Sequence, residues 1–273
     1  MKKPDIGTGA VTVVLIIVSI ISLLPFYIMF IMGTHYNEDL FKGIVLLPGR
    51  YFFKNIATVL ENSFIRFYIN SLYVAVSATA LCVLVSALSG FAFAKYEFKG
   101  KNRLFYFILA TMMIPGQLGL VAFIVEMRYM KWVNTHLPLI VPSAASAFGV
   151  FWMTQYILGS VPNEVLESSR MDGCSEPGIF FRIVLPYIKP AIATLSMLAF
   201  LGSWNNFLGP LILINKTELY TVPLGIVALS NYHRTDYAAQ IVGLALGTLP
   251  LLIIFSIGSK SFIKGFTAGS IKG

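Results

Sequence analysis

Charge is scarce in this chain. Of its 273 residues only 12% are Asp, Glu, Lys or Arg, against 57% hydrophobic, and the mean hydropathy is +0.78. That balance is too apolar for a soluble domain of this length and defines an integral membrane protein. Histidine, with 3 residues, and cysteine, with 2, are equally sparse. Cys82 falls in an apolar run and Cys174 in a polar segment, so the two do not pair, and no Cys/His spacing suits a metal. There is no G-x-x-x-x-G-K-[ST] phosphate loop, no nucleophile elbow, no H-E-x-x-H and no pair of intramembrane carboxylates. These absences argue against catalysis by this chain.

What is present is long apolar sequence. Six stretches, at 11–32, 69–94, 104–125, 137–159, 191–214 and 238–259, reach the roughly 20 residues needed to cross a hydrocarbon core. None contains Asp, Glu, Lys, Arg or His. Proton- and sodium-coupled transporters ordinarily place ionisable groups or broken-helix ion sites near the midplane. If this chain moves a solute, the expectation is that energy enters through another subunit. With both termini cytoplasmic, 12 of the 20 Lys and Arg residues lie inside, and Lys95, Lys99, Lys101 and Arg103 crowd one short loop. The positive-inside rule fixes that orientation. The net charge of +8 then reflects topology and not a nucleic-acid surface. The run before residue 32 is too long for a signal peptide and lacks a small-x-small cleavage site, so it counts as the first span. The expectation is an all-α membrane protein with residues 1–273 forming one transmembrane domain.

Between and within the spans, several residues stand out. Pro48-Gly49 marks a turn in an outer cap at 33–68. Ser71, Ser77, Thr79, Ser86, Ser89 and Gly90 would let the second span approach a neighbour closely, and Gly243 and Gly247 repeat that spacing in the last. Ile114-Pro115-Gly116-Gln117 predicts a kink in the third. Trp204-Asn205-Asn206 places two amides at membrane depth, where an unsatisfied polar group costs several kcal/mol. They should face the bundle interior or a wet cavity, and either interhelical bonding or a pathway role meets that demand. The 215–237 loop gathers Asn231, Tyr232, His233, Arg234, Thr235 and Asp236, which read either as a solvated loop or as a contact for an external partner.

The densest polar sequence is 160–190. Ser160 or Val161 can cap a helix with Pro162 in its first turn and Glu164 and Glu167 near its positive end. Gly173 stops it, since glycine takes the left-handed position beyond a helix without steric cost. Ser175 caps a second helix, with Pro177 in its first turn and Ile179, Phe180, Ile183 and Val184 on one face before Pro186. The first helix has only a narrow apolar strip at Val165 and Leu166, so it needs a partner surface.

This segment resembles the EAA loop of ABC-importer transmembrane subunits, whose pattern is E-A-A, a glycine four residues later, then I-x-L-P. Glu167-Ser168-Ser169, Gly173 and Ile183-Val184-Leu185-Pro186 occupy those positions, with serine in place of both alanines. The likeness extends nearly end to end to carbohydrate-uptake permeases of the maltose-transporter G-subunit type. It is carried by Asn70-Ser71-Leu72, Gly90-Phe91-Ala92-Phe93-Ala94, Met113-Ile114-Pro115-Gly116-Gln117, Trp204-Asn205-Asn206-Phe207, Thr235-Asp236-Tyr237 and the run Phe262 to Gly269.

The resemblance implies the type I importer permease fold, with six transmembrane helices, in the cytoplasmic (inner) membrane of a prokaryote. It implies a second permease in a heterodimer, two ATPase subunits that bind the ATP and Mg, an extracytoplasmic sugar-binding protein, surrounding lipid, and no cofactor in this chain. Glu164, Glu167, Ser168, Ser169, Arg170, Asp172, Gly173, Leu185 and Pro186 would couple to the ATPase. Trp204, Asn205 and Asn206 are candidates for the sugar pathway, and Asn231 to Asp236 for contact with the binding protein. The tail would meet the ATPase. A permease for another small solute such as a polyamine would carry a similar loop. A stand-alone secondary transporter and a non-transporting scaffold are the readings from other classes.

Overall fold

The computed structural model describes residues 6–43, 45–229 and 236–270, and all regular structure among them is helical. Among the described residues four helices are long and apolar enough to cross a membrane: Val11–Met32, Phe64–Lys95, Leu137–Ser160 and Tyr237–Gly258. Two sharply bent pairs, Lys101–Thr111 with Gly116–Tyr129 and Glu176–Tyr187 with Lys189–Trp204, raise the number to six if each pair is one span. The chain divides into two compact units, Met1–Ile65 with Gly225–Leu249 and Arg66–Leu224 with Pro250–Gly273.

In the first unit, helix Ile6–Met32 is apolar on every side and exposed along nearly all of its described length, as a lipid-facing helix is. Its end is tied down by a polar knot. Asn55 Nδ2 donates to the Gly33 and His35 carbonyls at 2.9 and 2.8 Å, and Gly49 N donates to Thr34 Oγ1 at 2.6 Å. A Cβ on Gly49 would sit 2.4 Å from the Thr34 carbonyl oxygen, so only glycine fits this turn.

The second unit is built on helix Phe64–Lys95. Ser86 and Gly90 lie against Gly149 and Met153 of helix Ala147–Ser160, so close that a Cβ on Gly90 would stand 2.5 Å from the Met153 Cβ. The small residues of the second expected span therefore do allow a close helix pair. Ala87, Phe91, Met153, Ile157, Leu166, Ile179, Phe180 and Val184 form one buried cluster around that contact.

Two expectations need correction. The 104–125 stretch is not a kinked helix but two helical pieces meeting at 87°. Pro115 supplies no backbone N–H, and the chain leaves helical geometry there with ψ at 122°. The 191–214 stretch stops being one helix at Trp204; Asn205 ends it, and Asn206 Oδ1 accepts from Gly209 N at 3.1 Å to start a separate short helix, Leu208–Leu213. The last helix continues to Ser270, and its apolar part, Tyr237–Gly258, falls on the expected span at 238–259.

Candidate functional site

Helix Asn163–Met171 forms where the sequence predicts it, with a different start. Pro162, extended at ψ 142°, is the residue before the first turn, and Ser160 instead closes the preceding helix by donating to the Tyr156 carbonyl at 2.7 Å. The terminus has no side-chain cap. Glu164 in the first turn and Arg170 in the last suit the helix dipole. Gly173 has φ +79° and ends the helix as expected, with its N–H donating to the Arg170 carbonyl at 3.0 Å.

One side chain roots this helix. Leu166, 2% exposed, enters the buried cluster, and half-buried Val165 and Ser169 flank it. Ser169 Oγ donates to the Val165 carbonyl of its own helix at 2.7 Å. Glu164, Glu167, Ser168 and Met171 follow at helical spacing on the outward side, all exposed, and Met171 is 88% exposed. Asp172 is exposed beside them. This exposed face joins an apolar tip to carboxylates and a small hydroxyl.

Arg170 does something else. Its Nε donates to Glu176 Oε1 at 2.8 Å across the Gly173 turn, and its guanidinium lies 5.9 Å from the centre of the Tyr96 ring. The Tyr96 hydroxyl donates to the other oxygen of Glu176. Arg170 and then Tyr96 hold the Glu176 carboxyl below its ordinary range, while burial and then Glu176 push the Tyr96 phenol above its own. At the start of the helix, Lys95 Nζ donates to the Val161 carbonyl at 2.6 Å and to Asn163 Oδ1 at 2.7 Å. Lys95, Tyr96, Met171 and the pairing of Glu176 are not marked by the motif. The clustering of Lys95 with neighbouring cations reads in sequence only as topology.

The second helix keeps Ser175 as its cap, accepting from Gly178 N at 3.4 Å. It widens into a π-turn at Phe180–Val184. Pro186 explains the turn: it has no N–H for the Arg182 carbonyl, and its ring displaces the preceding turn. Leu185 packs half-buried against the cluster, and Pro186 is exposed.

A cavity of about 640 Å³ lies within the second unit. Its lining includes places where helices are interrupted, Gly116 and Gln117, Pro142, Ser143, Ala145 and Ser146, and Asn206, together with Ser203 in the last turn of helix Lys189–Trp204. Its polar side chains are Gln117, Ser143, Ser146, Ser203 and Asn206, with Phe123 and Phe148 among the apolar ones, and among the described residues no charged one lines it. Trp204 is 2% exposed, stacked at 5.6 Å on Phe200 and edge-on to Tyr68, while Asn205 is exposed. Of the three adjacent residues, Asn206 is the one that reaches this cavity.

Asn231, Tyr232, His233, Arg234 and Thr235 lie outside the described residues. Asp236 lies within them and caps the last helix, its Oδ1 accepting from Ala239 N at 2.9 Å.

Several helices long and apolar enough to cross a membrane, with two sharply bent pairs besides, mark a multi-pass membrane protein. Residues 83–266 match the family described as binding-protein-dependent transport system inner membrane component, and the chain belongs to that family. It is 33% identical over 269 residues to the arabinooligosaccharides transport system permease protein AraQ of Bacillus subtilis (strain 168), covering 97% of this chain and 95% of that one. It is 31% identical to the lactose transport system permease protein LacG of Rhizobium radiobacter, with 99% and 97% covered. The sn-glycerol-3-phosphate transport system permease protein UgpE of Escherichia coli O1:K1 is 28% identical, with 89% and 90% covered. In fold, the chain matches one from the crystal structure of a bacterial ABC transporter that imports the acidic polysaccharide alginate, with a TM-score of 0.79 at 22% identity, covering 96% and 99%.

Proposed function

We propose that this chain is the permease subunit of an ATP-driven importer for a neutral sugar or oligosaccharide. Two relatives that it matches over nearly their whole length are permeases of arabinooligosaccharide and lactose systems, which supports a carbohydrate. The observation that carries the neutral class is the cavity, where amides, hydroxyls and two phenyl rings offer the hydrogen bonds and apolar faces that a sugar uses. A phosphate ester, like the substrate of the glycerol-3-phosphate relative, would need a cation there, and a polyamine a carboxylate. Neither lines it. The same lack leaves a proton- or sodium-coupled mechanism without its usual groups.

In this reading the chain crosses the membrane six times with both termini inside, and it pairs with a different permease, two ATPase subunits and an extracytoplasmic binding protein. Helix Asn163–Met171 seats in the ATPase through Glu164, Glu167, Ser168, Met171 and Asp172. Closure of the ATPase dimer on ATP moves this helix, and the movement switches access to the cavity. The loop that contains Asn231 to Asp236 meets the binding protein.

The test is uptake into proteoliposomes. The full complex should accumulate labelled neutral oligosaccharide only with ATP and binding protein, and Asn206→Ala should lower uptake several-fold more than it lowers ATP hydrolysis. Uptake by this chain alone, without ATP, would replace the proposal with a stand-alone transporter.

A further inference from the structure

Both ends of helix Asn163–Met171 are tied to two consecutive residues at the foot of a single long helix. Lys95 is the last residue of helix Phe64–Lys95, and its ammonium reaches the Val161 carbonyl and the Asn163 side chain where the short helix begins. Tyr96, the next residue, holds Glu176, and Glu176 holds Arg170 where the short helix ends. The Tyr96 ring is itself fixed edge-on to Phe91 at 5.3 Å, inside the buried cluster that also receives Leu166. With Leu166 in the buried cluster, these attachments hold the short helix at its start, its middle and its end.

We infer that Lys95, Tyr96 and Glu176 are positioning residues that make helix Asn163–Met171 and helix Phe64–Lys95 a single rigid lever for energy coupling. The inference rests on the permease reading above. The far arm of the lever reaches the cavity: Ala78 and Cys82 line it, and the Ala78 carbonyl accepts from Ser143 Oγ at 2.9 Å in the interrupted segment opposite. At 1.5 Å per residue, Cys82 lies about 20 Å along the helix axis from Lys95. A displacement applied to the outward face at Glu164, Glu167, Ser168 and Met171 is thereby delivered to the cavity wall without passing through a loop. Arg170 in this account turns inward to the lever, although the motif groups it with the coupling face. If the clamp is cut, the ATPase can still bind and hydrolyse, but the movement is absorbed by rotation of the short helix about Leu166.

The experiment compares the reconstituted full complex carrying Lys95→Met, Tyr96→Phe or Glu176→Arg with wild type, measuring complex recovery, basal ATP hydrolysis, and hydrolysis stimulated by the sugar-loaded binding protein. Each variant should be recovered as an intact complex with basal hydrolysis near wild type, and its stimulation should fall about tenfold for Lys95→Met and Glu176→Arg and less for Tyr96→Phe. Lys95→Arg should keep most of the stimulation. The exchange Arg170→Glu with Glu176→Arg should recover much of what Glu176→Arg alone loses. Stimulation equal to wild type in all three single variants would overturn the lever. So would a failure of the complex to assemble that neither Lys95→Arg nor the exchange repairs, because the contacts would then hold the fold and not the coupling. If wild type itself shows no stimulation, it is the permease reading that fails.

Discussion

At Gly173 the backbone leaves the helix with φ +79°, and no heavy atom lies within 4 Å of where a Cβ would stand. Space is therefore not the constraint; the left-handed conformation is, and it costs an ordinary L residue about 1–2 kcal/mol. Gly173→Asn should consequently be milder than Gly173→Val, by about 1 kcal/mol in thermal unfolding of the purified complex, because Asn visits this region more readily. Three residues on, the Glu176 carboxyl is depressed first by its hydrogen bond from Arg170 and then by that from Tyr96. A carboxyl lowered in the folded state adds stability above its unfolded pKa and loses it as pH falls through its own lower value. The stability difference between wild type and Glu176→Gln should be flat from about pH 6 to 8 and should shrink below about pH 4.5. Gly173 and the apolar strip at Leu166 were legible in sequence, because both follow from local helix chemistry. The partner of Arg170 was not, since Glu176 lies beyond a left-handed turn and Tyr96 is 80 positions earlier than Glu176.

Among the elements, the helix pair Phe64–Lys95 and Ala147–Ser160 is the tightest contact that the glycines reveal. A Cβ on Gly90 would meet the Met153 Cβ at 2.5 Å and one on Gly149 would meet Ser86 Oγ at 2.2 Å, whereas one on Gly202 would meet nothing within 4 Å beyond its own helix backbone. Gly90→Val should cost about 1–3 kcal/mol through overpacking. It should cut recovery of detergent-stable complex, and Gly202→Ala in the same assay should leave recovery unchanged. Helix breaks were unevenly readable. Pro115-Gly116 announces the first because proline removes a donor and glycine frees the backbone. The break after Trp204 was hidden, because the apolar run at 207–214 sustains the hydropathy of a span while the Asn206 side chain starts a new helix. Hydropathy measures the solvent a segment prefers, and it says little about where the backbone turns.

For the molecule as a whole, the sequence made the membrane class, the family resemblance and the polar coupling segment readable, since each depends on composition or on residues close together in the chain. It could not disclose which helix the coupling segment leans on, or that Gln117, Ser146 and Asn206 border one cavity, because those facts arise only when distant helices pack. The account places force transfer on one face of helix Asn163–Met171. The most direct test is site-directed cross-linking to the ATPase in the assembled complex, with Cys82 and Cys174 replaced by serine and single cysteines introduced at Glu164, Glu167, Ser168, Met171, Leu166 and Ser169. Efficient cross-links are expected from Glu164, Glu167, Ser168 and Met171, changing with ATP, and little or none from buried Leu166 and half-buried Ser169. Equal cross-linking from all six positions, or from Leu166 and Ser169 in preference, would contradict it.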